Sequence, residues 1–374
     1  MLKGIVEPLL KWYDTCRRIL PWREEPDAYS VWVSEIMLQQ TRVEAVKPFY
    51  TRFMDALPDI EALASCEEDR LLKLWEGLGY YNRVRNMQKA ARIVAEEYGG
   101  RMPSDYEKLL KLPGIGPYTA GAVASIAYGI PVPAVDGNVL RVLSRVTADY
   151  EDIMKPSMRR KMEEQIMEII PPDNAGKFTQ ALMELGAIIC VPNGAAKCGE
   201  CPLKDMCLAR EKGIVTELPQ KAAKKPRRIE QRTVFVLKDG EKAAIRKRPK
   251  KGLLPGLYEL PNTEGHLGMD EVVQFVKEQG MSPIRVKRLS DSKHIFSHVE
   301  WQMIGYAVWI DELEKQPEDG LIFVEPQRTE REFPIPAAFG AYTDYLQIKL
   351  GQEKYESVKG RKENEDFISG NTVL

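Results

Sequence analysis

Leu112-Pro-Gly-Ile-Gly-Pro-Tyr-Thr-Ala-Gly121 decides how the first half of this chain is read. Gly114 and Gly116 flank one apolar residue, so the backbone can turn sharply just before a helix begins. The N–H groups at such a helix start are free and sit at the positive end of the helix dipole, which suits them to a phosphate. The pattern reads as two helices around a tight phosphate-gripping hairpin; an ordinary turn between helices has the same glycines. The uncharged run 112–135 is 24 residues, long enough to cross a bilayer, but its four prolines and four glycines argue against a spanning helix. Around it, up to about residue 212, apolar residues recur at three- and four-residue spacing in 31–46, 71–75, 87–94 and 139–146, predicting helices. Two further helix starts read as capping boxes, Ser65 with Glu68 and Ser104 with Glu107. The stretch 217–232 is polar, basic and broken by Pro219 and Pro226, so it reads as a linker. Beyond it the period changes to two: 233–237, 243–246, 284–286 and 300–309 are strand-like, with one helix over 270–279. From about Gly351 the chain is charged and without apolar pattern, a frayed tail. No internal repeat is present.

A length of 374 residues suggests two or three domains. The net charge of −1 argues, as an average, against a nucleic-acid binder. The average hides a segregation, because between Gln220 and Lys251 there are 13 Lys and Arg against three acids. A basic band on an acidic background can still meet DNA. Residues 1–20 interleave charged and apolar side chains, an amphipathic helix rather than a signal sequence, so a soluble intracellular protein is expected.

Three constellations carry chemistry. Asp136, in Val135-Asp-Gly-Asn138, directly precedes a helical run and reads as its N-cap, kept ionised by the helix dipole. A purely structural cap would look the same, but here the carboxylate follows the hairpin, where it would face a bound sugar. Glu35 lies among Trp32, Val33, Ile36, Met37 and Leu38, and an apolar seat would raise its pKa toward neutrality, as a general acid requires; the plain alternative is a solvent-facing Glu. A neutral Glu and an ionised Asp are the pair that glycosidic cleavage uses. Cys190, Cys198, Cys201 and Cys207 fall within 18 residues and could hold tetrahedral zinc or an iron–sulfur cluster. All three histidines, His266, His294 and His298, come after the linker, so the first 265 residues cannot run His-dependent catalysis. The carboxylates lead by exclusion.

Taken together with Leu20-Pro-Trp-Arg23, Ser34-Glu-Ile-Met-Leu-Gln-Gln-Thr41, Trp75-Glu-Gly-Leu-Gly-Tyr-Tyr81 and Phe296-Ser-His298, these segments resemble adenine DNA glycosylases of the MutY type to about residue 350. The resemblance implies a multidomain α plus α/β protein. An all-helical helix-hairpin-helix glycosylase domain (1–212, cluster loop 190–207) with a [4Fe–4S] cluster leads through a linker (213–231) into a Nudix-like lesion-recognition domain (232–350), and a flexible tail (351–374) follows. The implied reaction flips adenine out of double-stranded DNA, from A:8-oxoguanine or A:G mispairs, and hydrolyses its N-glycosidic bond. The implied roles are Glu35 as acid on the adenine, Asp136 as the carboxylate at the sugar, and Tyr118 and Asn138 as its partners. Arg23 and Gln180 would line the adenine pocket, Gln40 and Tyr80 would enter the duplex, and Phe296, Ser297 and His298 would sense 8-oxoguanine. Gly114 and Gly116 would grip the backbone. The protein is expected to be a monomer without a membrane partner.

Three features qualify the match. Related enzymes that also cut the strand, such as endonuclease III, carry a lysine nucleophile where this chain has Tyr118, and a phenol cannot form a Schiff base; base removal without efficient lyase activity is expected. The first cysteine gap is seven residues where the family usually has six, so the loop must bulge. The stretch 268–278 lacks the Glu-rich helix of a working Nudix pyrophosphatase, so the second domain is expected to read the lesion and not to hydrolyse nucleotides. Two rival readings remain at this point, an endonuclease III-like glycosylase with lyase activity and a non-catalytic zinc-containing DNA-binding protein.

Overall fold

A computed structural model describes residues 2–24, 26–192, 194–222, 226–313 and 320–351. Lys224 and Lys225 of the basic band, Asn193 of the long cysteine gap, and 352–374 of the expected tail lie outside the described residues. The chain runs through α1 (Val6–Cys16), α2 (Ala28–Leu38), α3 (Val43–Ala56), α4 (Ile60–Ser65), α5 (Glu68–Leu74), α6 (Asn82–Tyr98), α7 (Tyr106–Leu110), α8 (Pro117–Tyr128), α9 (Gly137–Thr147), α10 (Pro156–Met167), α11 (Ala175–Ile188) and α12 (Leu208–Glu211). It then continues as β1 (Arg228–Asp239), β2 (Lys242–Lys247), β3 (Tyr258–Glu259), β4 (Asn262–Glu264), α13 (Met269–Glu278), β5 (Pro283–Ile295), β6 (Val299–Ile310), β7 (Leu321–Val324), α14 (Pro326–Glu332) and α15 (Gly340–Thr343). Contacts divide it into two units, Met1–Ser65 with Arg85–Lys224, and Cys66–Val84 with Lys225–Leu374.

In the first unit, α2 and α8 are apolar on all sides and are therefore buried nearly throughout. They pack on each other, and α11 packs on α8 and α9. Gly114 turns at φ +77°, a Cβ there would stand 2.7 Å from the Cβ of Asn86, and Ile115 is driven inward. Gly116 is extended, and Pro117 fills the first turn of α8, where a missing N–H costs nothing. The helical periodicity over 31–46 is interrupted: α2 stops at Leu38, Gln40 takes a left-handed φ of 63°, and α3 restarts after extended Arg42. Both expected capping boxes are replaced. Glu67, not Ser65, caps α5 by accepting from Arg70 N (2.9 Å), and Asp105, not Ser104, caps α7 by accepting from Lys108 N (2.9 Å). A carboxylate one or two residues later sits closer to the free N–H groups, and the Ser65 hydroxyl donates back to Glu61 O instead.

The second unit is a mixed sheet. Its order is β3-β2-β1-β6-β5, with β4 on β1 and β7 on β2. β1 and β6 run parallel over Arg228↔Val299 to Lys238↔Trp309, and the remaining pairs are antiparallel. Val234 and Val236 face one core with Trp301, Phe339 and Tyr342, while Phe235 and Leu237 face another with Val272 and Val276 of α13. Cover on both faces explains the unbroken apolar run at 234–237. Residues 66–84, expected within the helical domain, fall in this unit, held by Lys73 Nζ donating to Phe333 O (2.9 Å) and Ile335 N donating to Glu76 (2.9 Å). β1 begins at Arg228, inside the stretch read as linker, whereas Leu218 is buried and its carbonyl accepts from Arg145 Nε (2.9 Å) in the first unit.

Candidate active site

Three helices of the first unit converge here. Glu35 is carried by α2, whose residues Tyr29 to Met37 are all buried, and it is buried with them. Loss of water pushes its carboxyl up to about 7, raised further by the charge of Asp136 and opposed by the hydrogen bond from Tyr118 and the charge of Arg23. Tyr118, in the first turn of α8, donates its phenol proton to Glu35 Oε2. Its own pKa is raised well above the ordinary tyrosine value by burial and by the two carboxylates, so it remains a donor.

Asp136 caps α9, accepting from Val139 N (2.8 Å) through Oδ1 and from Asn138 Nδ2 (2.6 Å) through Oδ2. These bonds favour its charged form as expected, yet burial is the larger effect and its pKa is raised. Asn138 is held in turn by Arg141 Nη2, which donates to its Oδ1 (2.8 Å) and to Gly186 O (2.8 Å), while Arg141 Nε donates to Cys190 O (2.7 Å). One guanidinium thus spans the carboxylate's partner and the cysteine loop.

Arg23 and Gln180 form the next group. Arg23 Nη2 and Arg18 Nη2 both reach Glu184 Oε2, at 2.9 and 2.8 Å, and Arg18 Nε reaches Oε1 at 2.8 Å. Burial alone would raise Glu184, but the hydrogen bonds from Arg18 and Arg23 outweigh it and hold the carboxyl down at about 2. Tyr13 donates to Gln180 Oε1 (3.1 Å), and its ring lies under Arg23, 5.7 Å from the guanidinium carbon.

A buried neutral acid beside a second carboxylate fits bond cleavage at a sugar, and the family comparisons agree. The model of the HhH-GPD superfamily of base excision DNA repair proteins matches residues 33–172, and that of the NUDIX domain matches 233–344. The adenine DNA glycosylase of Mus musculus is 36% identical over 81% of this chain and 70% of its own. That of Schizosaccharomyces pombe is 34% identical over 81% of each. A solved thermostable thymine-DNA glycosylase is 31% identical with a TM-score of 0.50, covering 56% of this chain and 96% of its own. The chain belongs to the adenine DNA glycosylase family. It is a base-excision hydrolase that cleaves the N-glycosidic bond of adenine in DNA.

In this adenine DNA glycosylase the four cysteines of the loop line one pocket together with Arg145 and Arg210. Cys190 Sγ accepts from Arg145 Nη1 at 3.2 Å, and the loop closes where Lys197 N donates to Ile189 O (3.0 Å). Four thiols in one pocket with a guanidinium on a sulfur fit a thiolate-held metal group, and HhH-GPD proteins generally bind a [4Fe–4S] cluster. Among the described residues no group of three or more His, Cys, Asp or Glu side chains is placed to hold a single metal ion.

In the second unit of the glycosylase, Tyr80 has a left-handed φ of 49° and is exposed. Its hydroxyl is hydrogen-bonded to that of Ser297 at 3.2 Å. Phe296 is half-buried edge-on against Trp301, 5.0 Å between ring centres, and Ser297 and His298 are exposed. Arg227 Nε donates to Phe296 O (3.2 Å) and Arg228 N to His298 O (3.1 Å), so the start of β1 clasps the turn. Gln40 is exposed just past the end of α2. The sequence reading missed Tyr13, Arg18, Glu184, Arg141 and Arg145. One local signal existed: Glu184 lies four residues beyond Gln180, on the same helix face. No helix among the described residues is long and apolar enough to cross a membrane.

Proposed function

We propose that this glycosylase removes adenine paired with 8-oxoguanine, and with guanine, as a monomeric, monofunctional enzyme. The observation that carries the reading is the buried Glu35 carboxyl, pushed up to about 7, with Tyr118 donating to it and Asp136 close enough to raise it. Protonated Glu35 gives its proton to the flipped adenine and makes it a leaving group; Asp136, steadied by Asn138, faces the positive charge that develops on the sugar. Arg23 and Gln180 line the base pocket, Gln40 and Tyr80 enter the duplex, and the amides at Gly114 and Gly116 hold backbone phosphate. Tyr118 stands where a strand-cutting relative would need an amine, so no Schiff base forms.

Phe296, Ser297 and His298 sense the oxidised base, and the hydrogen bond between Ser297 and Tyr80 supports that assignment. Cys190, Cys198, Cys201 and Cys207 hold a [4Fe–4S] cluster, which orders the loop that Arg141 ties to Asn138. Action on chromosomal DNA in the cytoplasm completes the proposal. The test is release of adenine from A:8-oxoguanine, A:G and T:G duplexes, with strand breaks scored with and without alkali. Adenine release from the first two, with breaks only after alkali, is expected. Breaks without alkali and a borohydride-trapped complex would favour a lyase. Visible absorbance with acid-labile sulfide is expected of the cluster, and zinc would show neither.

A further inference from the structure

The turn that carries Tyr80 has little regular structure of its own. Gly77 and Gly79 have φ of 101° and 67°, and Tyr80 holds a left-handed conformation that is costly for a residue with a side chain. Something must hold it there. Inside the turn, Trp75 Nε1 donates to Gly79 O (3.0 Å), and Arg83 Nη2 donates to Leu78 O and Gly79 O (3.2 Å each). Other bonds of this segment reach far along the chain, to partners 259 to 275 residues later.

Glu76 is buried, and its carboxylate accepts from Ile335 N (2.9 Å) through Oε1 and from Gly351 N (3.2 Å) through Oε2. Its charge is matched by Lys73 Nζ at 2.9 Å, and the same ammonium donates to Phe333 O (2.9 Å). The fit is close: a Cβ on Gly351 would stand 3.0 Å from Gly77 Cα. A buried ion pair whose remaining valences are filled by backbone groups of a distant segment fixes geometry, because each lost bond would leave a buried donor or acceptor unpaired.

We infer that Glu76 is a positioning residue for reading the base opposite adenine: by anchoring its turn to the backbone at Ile335 and Gly351, it holds the Tyr80 hydroxyl against Ser297. Tyr80 and the Phe296–His298 turn then form one rigid reading head, although they are more than two hundred residues apart in the chain. This inference rests on the proposed 8-oxoguanine reading and adds to it the element that sets the reading geometry.

The test compares Glu76→Gln, Ser297→Ala and the double variant with the wild-type chain in single-turnover adenine release from A:8-oxoguanine and A:G, alongside amide exchange at residues 78–82. Glu76→Gln loses its charge and one acceptor, and the preference for A:8-oxoguanine is expected to fall about tenfold, with the A:G rate changed less than about twofold. Ser297→Ala in that background should cost less than it does alone, because both variants disrupt the Tyr80–Ser297 contact. Glu76→Asp, which keeps the charge with a shorter reach, should give an intermediate loss and carries the test if Glu76→Gln does not fold. Equal losses on both substrates, or fully additive effects of the two substitutions, would overturn the inference. A wild-type chain with no preference would sink the 8-oxoguanine reading instead. In that case the positioning role stands only if exchange at 78–82 accelerates in Glu76→Gln, and unchanged exchange ends it.

Discussion

The phenol of Tyr118 donates to the buried carboxylate of Glu35, and this bond is the larger of two effects, with the charge of Arg23, that oppose the burial raising the Glu35 pKa. Catalysis needs Glu35 protonated, so activity should decline above about pH 7, approaching tenfold per pH unit. Removing the bond in Tyr118→Phe leaves only the charge of Arg23 to oppose burial. The carboxyl should then hold its proton to higher pH, and the alkaline limb should move upward even if the plateau rate is lower. A pH–rate profile of single-turnover adenine release reads both. An alkaline limb that stays in place or moves down would show that Glu35 is not the group being titrated.

The same raised pKa costs stability. The folded group titrates at about 7 and the ordinary value is 4.5, so above pH 4.5 the unfolded chain gives up this proton more readily than the folded one. Rising pH therefore favours unfolding through this group until pH 7 is passed, by up to about 3 kcal/mol. Glu35→Gln, which carries no charge to bury, should unfold at higher temperature than wild type at pH 8 and lose the advantage near pH 4. The same variant should keep DNA binding and lose about 10²–10⁴-fold in rate. Thermal melts at the two pH values check the sign, and near wild-type turnover would refute the acid assignment.

Local pattern made much of this molecule legible, and distant contact hid the rest. Gly114, Gly116 and Pro117 are read correctly as a turn into a helix because glycine and proline act through their own backbone. The strand segments and the helix at 269–278 follow from periodicity, which is also local. The break after Leu38 escaped because apolar spacing continues across Gln40, whose left-handed backbone leaves no mark in the pattern. Glu35 and Asp136 were identifiable by residue type, but the burial that raises Asp136 was not, since it comes from packing and not from its helix. The ion pairing of Glu184 was hidden for the same reason: its partners Arg18 and Arg23 lie more than 160 residues away. The place of 66–84 in the second unit was hidden likewise, because partners such as Phe333 O of Lys73 and Ile335 N of Glu76 lie about 260 residues away.

The exposed turn at Ser297 and His298 should matter for the base opposite adenine and not for the cut itself. Ser297→Ala combined with His298→Ala removes two polar side chains from the surface and leaves Phe296 seated on Trp301. The expected outcome is a preference for A:8-oxoguanine over A:G reduced about tenfold or more, with little change in melting temperature, because exposed positions contribute little to stability. Competition between the two duplexes in one reaction measures this directly. An unchanged ratio would move lesion sensing elsewhere in the second unit.

Gly186 lies outside the reacting groups, yet it should control them. Its α-helical backbone passes so close to the start of α9 that a Cβ would stand 2.6 Å from Asn138 Cβ and 3.1 Å from its Cα. Neither atom is the far end of a flexible side chain, so Gly186→Ala must push the two helices apart. Asn138 is the residue that donates to Asp136 Oδ2, and Arg141, which orients Asn138, also donates to Gly186 O. A displacement of a few tenths of an ångström therefore enters the carboxylate's hydrogen bonding from two sides. Misplacement on the scale of an ångström costs about 100-fold in rate, so Gly186→Ala should lose between about 10- and 100-fold in single-turnover adenine release. Binding to the mispaired duplex should change far less, because the hairpin and the reading turn are untouched. The separation of the two effects is the decisive point: parallel losses in binding and rate would indicate general unfolding, whereas a rate loss at constant affinity places the damage at Asp136.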